Sequence, residues 1–276
     1  METFRIGGEL EVNRLGYGAM RLCGPRVTGW PEDREKALAV LRRAVELGAD
    51  LVDTADAYGP EVSELQVAEA LHPYRGVTVA TKGGLVRGGD ESAGWTPNGR
   101  PEYLRSACEA SLRRLRVERI DLYQLHRPDP EVSFADSVGV LRELRDEGKV
   151  RHVGLSNVSV AQLEEARGIV EIASVQNEYN LGNRESEDVL QACEAAGIAF
   201  LPWFPLDAGE LARPGGPVDA VAEAHGATQA QVALAWLLAH SPVTIPIPGT
   251  SSLAHLEENM AARELALTGD ELQRLG

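Results

Sequence analysis

Lysine is nearly absent from this chain: of its 27 basic residues only Lys36, Lys82 and Lys149 are lysines, and the rest are arginines. Where plain positive charge suffices, guanidinium is used, so a lysine kept at a special place points to chemistry that a permanently charged planar head serves badly. Lys36 and Lys149 read as ordinary surface residues, which leaves Lys82. Cysteine is scarce too. Cys23, Cys108 and Cys193 are odd in number, lie far apart and form no C-x-x-C, which excludes a disulfide framework and a zinc knuckle and fits a reducing cytoplasm. No apolar run approaches the ~18 residues of a membrane span, and residues 1–10 lack the basic and apolar regions of a signal peptide. Bases are outnumbered by 42 acids, giving a formal charge of -15. Attraction to nucleic acid or to anionic lipid therefore starts from the wrong sign, and any anionic ligand must be held by local geometry.

What is present is a composition that is 43% hydrophobic and 25% charged over 276 residues, enough to bury a sizeable core. Short Val-, Ile- and Leu-rich runs at 15–18, 51–53, 77–82, 120–126, 150–156, 173–177, 198–203 and 243–248 alternate with stretches of helical period, among them 34–47, 103–115, 134–146, 160–169 and 231–239. Eight such units in a chain of this length predict an α/β fold, a single (β/α)₈ TIM barrel over residues 1–276; no G-x-G-x-x-G follows any run to suggest a doubly wound sheet. Ahead of the first run, the Gly7-Gly8 pair between two short alternating runs predicts a β-hairpin that caps the barrel bottom. Two units are longer than the rest, and their insertions, 83–100 and 207–217, read as mobile lids.

In such a barrel the functional face lies where the strands end at their carboxyl side. The runs end in Asp53, Lys82 and His126, then Ser156-Asn157, Gln176 and Trp203, and these side chains should meet in one mouth. An acid and an ammonium leaving nearby strands can pair where each alone is costly to bury. Tyr58 follows Asp53 by five residues, and Gly59-Pro60 breaks the chain so that the phenol can fold back over the mouth. An ammonium beside a phenol favours phenolate and lowers a pKa that starts near ~10, which predicts Tyr58 as a general acid tuned by Lys82 and Asp53. No second His or Cys lies at ligand spacing from His126, so no metal is expected, and His126 is better suited to orient a substrate carbonyl by a hydrogen bond.

The stretches Leu-Val-Asp-Thr-Ala-Asp-Ala-Tyr-Gly, Ala-Thr-Lys, Leu-Tyr-Gln-Leu-His, Gly-Leu-Ser-Asn, Val-Gln-Asn-Glu-Tyr-Asn and Ile-Pro-Gly-Thr-Ser-Ser, the last followed by Glu-Glu-Asn, occur in this order. Along nearly its whole length the chain resembles the aldo-keto reductases, and it is similar to a bacterial branch that includes pyridoxal reductases. The resemblance implies a (β/α)₈ oxidoreductase that reduces aldehydes or ketones, pyridoxal among them, with NADP(H) preferred and NAD(H) left open. Its catalytic Asp, Tyr, Lys and His fall on Asp53, Tyr58, Lys82 and His126. It further implies that Ser156, Asn157 and Gln176 hold the nicotinamide carboxamide, that Trp203 stacks on that ring, and that Gly18, Ala19, Met20 and Leu206 complete the cofactor wall. The segment Pro248, Gly249, Thr250, Ser251 is implied to receive the 2′-phosphate, and Glu258 and Asn259 to lie beside the adenine. Gly249 stands where many members place Lys and His255 where many place Arg, which makes the His255 imidazole the expected cationic group at the phosphate. Met20, Trp95, Tyr58 and His126 are the expected substrate contacts, with Met20 opening a wall where many relatives carry Trp.

Two other classes fit parts of this pattern. A strand-end lysine in a barrel can form a Schiff base, as in a lyase using Lys82; alternatively, the barrel is an NADP(H)-binding regulatory module with little turnover. The expected partner is a small carbonyl compound, with no nucleic acid and no membrane, acting on a cytoplasmic monomer or weak homo-oligomer.

Overall fold

The computed structural model describes residues 2–87, 94–212 and 218–276. The chain opens with β1 (Thr3–Ile6) and β2 (Leu10–Asn13), paired antiparallel with Ile6 opposite Leu10. Gly7, Gly8 and Glu9 turn between them, and the two glycines take φ of 58° and 73°, left-handed values that glycine adopts without strain. Ile6, Leu10 and Val12 pack into one cluster with Leu51, Ala173 and Ala199 from the opening ends of the barrel strands. The hairpin thus caps the barrel bottom, as the Gly-Gly pair predicts.

The barrel strands are β3 (Tyr17–Gly18), β4 (Leu51–Asp53) and β5 (Thr78–Gly83); after a side ribbon of β6 (Leu85–Arg87) and β7 (Trp95–Pro97) come β8 (Ile120–Leu125), β9 (Val150–Ser156), β10 (Ile172–Gln176) and β11 (Ala199–Phe200). Their order is β3-β4-β5-β8-β9-β10-β11, all parallel. The eighth expected run, 243–248, does not form a regular strand. Pro246 and Pro248 have no N–H to give, so one edge of a ladder cannot form there. Their carbonyls still accept: Gly16 N–H donates to Pro246 at 2.9 Å and Gly18 N–H to Pro248 at 3.3 Å. On the other side Phe200 N–H donates to Val243 at 2.9 Å, and Ile245 N–H donates to Phe200 at 2.8 Å. The eighth segment therefore closes the (β/α)₈ barrel using its acceptors toward β3 and alternating bonds toward β11.

Helices α1 (Arg34–Glu46), α2 (Val62–Leu71), α3 (Pro101–Leu115), α4 (Phe134–Asp146), α5 (Val160–Arg167), α6 (Glu187–Ala196), α7 (Asp219–His225), α8 (Gln229–His240), α9 (Leu253–Ala261) and α10 (Gly269–Leu275) follow the strands. Asp33, Ser133, Ser159, Thr228, Ser252 and Thr268 cap six of them by accepting from a first-turn N–H, which sets where each helix begins. α3 starts two residues ahead of its apolar period because Pro101 at the first position forfeits no helical bond. The first insertion is a β-ribbon, with Arg87 opposite Trp95 and Val86 opposite Thr96. The second begins as a 3₁₀ segment, Asp207–Ala212. The rest of the two expected lids, 88–93 and 213–217, lies outside the described residues.

Candidate active site and dinucleotide cleft

β4 and β5 are adjacent and parallel, with Asp53 beside Ala80, so the acid that ends β4 lies next to the strand that carries Lys82 two residues further on. The Lys82 ammonium is 0% exposed and donates to Asp53 Oδ2 at 2.6 Å, to the Thr54 carbonyl at 2.9 Å and to the Tyr58 hydroxyl at 3.4 Å. The second Asp53 oxygen accepts from Gln176 Nε2 at 2.8 Å and from Gln124 Nε2 at 3.4 Å. Tyr58 is placed by the turn after β4, whose Asp56 N–H donates to the Lys82 carbonyl at 3.2 Å. Its ring meets that of His126 edge-on at 5.7 Å and that of Trp95 at 6.3 Å, so the four side chains predicted to act together do converge.

Burial decides the protonation states. It pushes the Tyr58 phenol above its ordinary value; the Lys82 charge pulls the other way but is partly cancelled by Asp53. The expected net lowering is therefore corrected: Lys82 moderates the shift without reversing it, and Tyr58 rests as a protonated phenol. For Lys82 itself burial favours the neutral amine, yet Asp53 and Tyr58 outweigh it and the group stays an ammonium. His126 is driven well below the usual histidine range by burial and by the charges of Lys82 and Arg127, so it is a neutral imidazole; its Nδ1 is buried with no hydrogen-bond partner among the described residues. Behind the turn, Asp56 is pushed up to about 8 by burial and by Glu64, against the opposing pull of Arg114. A charged, fully buried Lys82 held by Asp53 speaks against the Schiff-base reading, which needs a neutral, reachable amine.

A cleft of 1310 Å³ runs from this constellation along the ends of the strands. Gly18, Met20, Asp53, Tyr58, Trp95 and His126 line it, as do Ser156, Asn157, Gln176, Trp203 and Leu206. Pro248, Gly249, Thr250, Ser251, His255, Glu258 and Asn259 form its far end. Ala19 does not line it: that side chain is 1% exposed and belongs to the core between barrel and helices, which corrects its place in the expected cofactor wall. Asn157 donates to the His126 carbonyl at 3.0 Å and accepts from the Trp203 indole at 3.2 Å, so three expected contacts are locked to one another. Tyr17, unremarked in the sequence, is fully buried and donates to the Thr250 carbonyl at 2.6 Å, tying the far end to the first strand.

The Gly249 departure has a steric cause. A Cβ there would lie 2.7 Å from the Gly18 carbonyl oxygen, and a Cβ on Gly18 would lie 2.7 Å from that of Ile247, so two bare backbones meet where the barrel closes. The same Gly249 Cβ would lie 3.6 Å from Arg21 Cγ. Arg21, which also lines the cleft, thus brings a guanidinium stem to the place where the sequence offered only the His255 imidazole. Sequence distance hid it, since these residues are joined only by barrel closure. Among the described residues no group of three or more His, Cys, Asp or Glu side chains could hold a metal ion, and no helix is long and apolar enough to cross a membrane.

The sequence model of the Aldo/keto reductase family matches residues 14–276. This chain belongs to that family. Among its reductase relatives, Pyridoxine 4-dehydrogenase of Escherichia coli is 46% identical over 281 residues, covering 99% of this chain and 96% of that protein. An uncharacterized oxidoreductase of Schizosaccharomyces pombe is 48% identical over 97% of this chain and 87% of its own. The crystal structure of an aldo/keto reductase from Klebsiella pneumoniae in complex with NADP and acetate superposes with a TM-score of 0.83 at 28% identity, covering 99% of this chain and 93% of that one. The chain is accordingly an oxidoreductase with the (β/α)₈ fold of that family.

Proposed function

We propose that this aldo/keto reductase reduces aldehydes and ketones to alcohols with NADP(H), accepting NAD(H) less well, and that pyridoxal is among its substrates. The observation that carries the reading is the continuous chain Asp53, Lys82, Tyr58, with the Tyr58 and His126 rings 5.7 Å apart in one cleft. The residues present fit a dinucleotide: the cleft is long, and its middle wall is the bare backbone of Gly18 and Gly249. Ser156, Asn157 and Gln176 would hold the carboxamide, Trp203 the ring face, Glu258 and Asn259 the adenine, and Thr250, Ser251, His255 and Arg21 the phosphates. The bound cofactor supplies the hydride.

The chain's own residues do the rest. A carbonyl oxygen placed between Tyr58 and His126 accepts a hydrogen bond from the neutral imidazole, which orients and polarises it. The Tyr58 phenol gives up its proton to that oxygen, and the ammonium of Lys82 stabilises the phenolate left behind. Asp53 keeps Lys82 charged in a site where burial alone would neutralise it. The free, buried Cys23, Cys108 and Cys193 suit a reducing compartment. Similarity to Pyridoxine 4-dehydrogenase supports the pyridoxal assignment. The test is loss of NADPH absorbance with a panel of pyridoxal, aromatic and aliphatic aldehydes; no loss with any of them refutes the reading.

A further inference from the structure

Charge around the substrate end of the cleft is unevenly answered. Many of the described arginines, Arg5 and Arg114 among them, sit against carboxylates. Arg26 and Arg127, which line the cleft, have no carboxylate partner among the described residues. Of the other charged groups in the wall, Asp53 is answered by Lys82, while Glu258, His255 and Arg21 belong to the far, dinucleotide end. Among the described residues Glu32 is the one further acid that lines the cleft; Asp90 and Glu91 lie outside the described residues.

Both arginines are attached to the reacting constellation by backbone. Arg127 directly follows His126, and its charge reaches the imidazole strongly enough to oppose protonation there. Arg26 has φ 53° and ψ 28°, and Val27 after it has φ 60°, a left-handed pair that side-chain-bearing residues avoid unless their surroundings enforce it. Here they do. Val27 N–H donates to the Gly24 carbonyl at 3.0 Å, and the Val27 carbonyl accepts from Gly59 N–H at 3.2 Å and from Arg87 Nη1 at 3.0 Å. Gly59 follows Tyr58, and the Arg87 guanidinium lies 4.6 Å from the Trp95 ring centre, so the loop that carries Arg26 is pinned between the proton donor and an aromatic wall. A strained loop clamped in this way presents a cation over the mouth of a protein whose overall charge of -15 repels anions.

We propose that Arg26 and Arg127 form an anion subsite that selects carbonyl substrates bearing a carboxylate or phosphate group away from the reacting carbon. The inference rests on the aldehyde-reductase reading above and names the substrate class within it. Both are exposed residues in the wall of one cleft, each held next to a reacting side chain, so an oxyanion bound there would receive charge-assisted bonds whose strength falls with salt.

The test compares kcat/KM, at saturating NADPH, for 4-carboxybenzaldehyde against methyl 4-formylbenzoate and for 4-formylphenyl phosphate against 4-methoxybenzaldehyde. At least one charged member should lead its neutral partner by about tenfold or more, through KM, and the lead should shrink as salt is raised. The pair showing the larger lead identifies carboxylate or phosphate as the preferred group. Arg26→Gln and Arg127→Gln should each reduce the charged-to-neutral ratio, and the double variant should bring it close to one; because the ratio is internal to each variant, a general loss of activity does not imitate this result. Ratios at or below one in the native enzyme, or a lead that survives both substitutions, overturn the subsite while leaving aldehyde reduction standing. Failure to reduce any of the four compounds overturns both.

Discussion

Removing the Lys82 ammonium should cost this protein stability as well as activity. The side chain is 0% exposed, its partner carboxylate 4% exposed, and the two are 2.6 Å apart. In Lys82→Met, Asp53 keeps only the amides of Gln176 and Gln124, and the Thr54 carbonyl loses this donor. Breaking a buried pair on one side leaves a desolvated charge and costs about 3–5 kcal/mol, a large share of the about 5–15 kcal/mol that holds a typical domain together. At about 2–4 °C per kcal/mol for a chain of roughly this size, Tm should fall by about 6–20 °C. Asp53→Asn should be costly for the mirror-image reason. The double variant Asp53→Asn/Lys82→Met, having no charge left to strand, should be more stable than the sum of the single losses implies, by at least about 1 kcal/mol. Urea unfolding of the four proteins followed by circular dichroism closes the cycle. Single losses that add to within about 0.5 kcal/mol would refute the reasoning, because they would mean that the two charges are solvated independently of each other.

Tyr58→Phe should behave in the opposite way: its hydroxyl makes one long contact at 3.4 Å, so Tm should barely move while kcat falls by about 10²–10⁴, the usual share of a positioned proton donor. A folded Tyr58→Phe enzyme with near-native kcat would remove Tyr58 as the acid. Gly249→Ala should destabilise the barrel and weaken NADPH binding, since the added methyl meets the Gly18 carbonyl at 2.7 Å, whereas His255→Arg should raise the ratio of NADPH to NADH affinity; fluorescence titrations with both cofactors and a thermal melt separate the two effects. Asp56, raised to about 8 in the fold, is protonated there while an unfolded carboxyl has already ionised, so the stability it contributes is full below about pH 4 and lost as pH rises through about 8. Asp56→Asn should therefore flatten the decline of unfolding free energy between those pH values, and an unaltered pH profile would show that Asp56 is ionised in the native protein.

The alternation of apolar runs with helical periods, the Gly7-Gly8 pair and the polar residues that close several runs are local properties of the chain, and they suffice to read the barrel, its hairpin cap and the positions of Asp53, Tyr58, Lys82 and His126. Strand direction and parallel pairing then leave little choice, because residues that end parallel strands must share one face. What local sequence could not decide is whatever depends on groups brought together from far along the chain. Closure through 243–248 uses proline carbonyls as acceptors, which an apolar run does not announce. The shift of Tyr58 depends on how completely it is buried, and burial outweighs the ammonium that the sequence places beside it. At Gly249 the Gly18 backbone fills the space of a side chain, with Arg21 alongside, which the linear order of residues does not reveal. Period and capping act over a few residues and are written in order, whereas desolvation and steric exclusion are set by all neighbours in three dimensions, and only the folded barrel decides which those are.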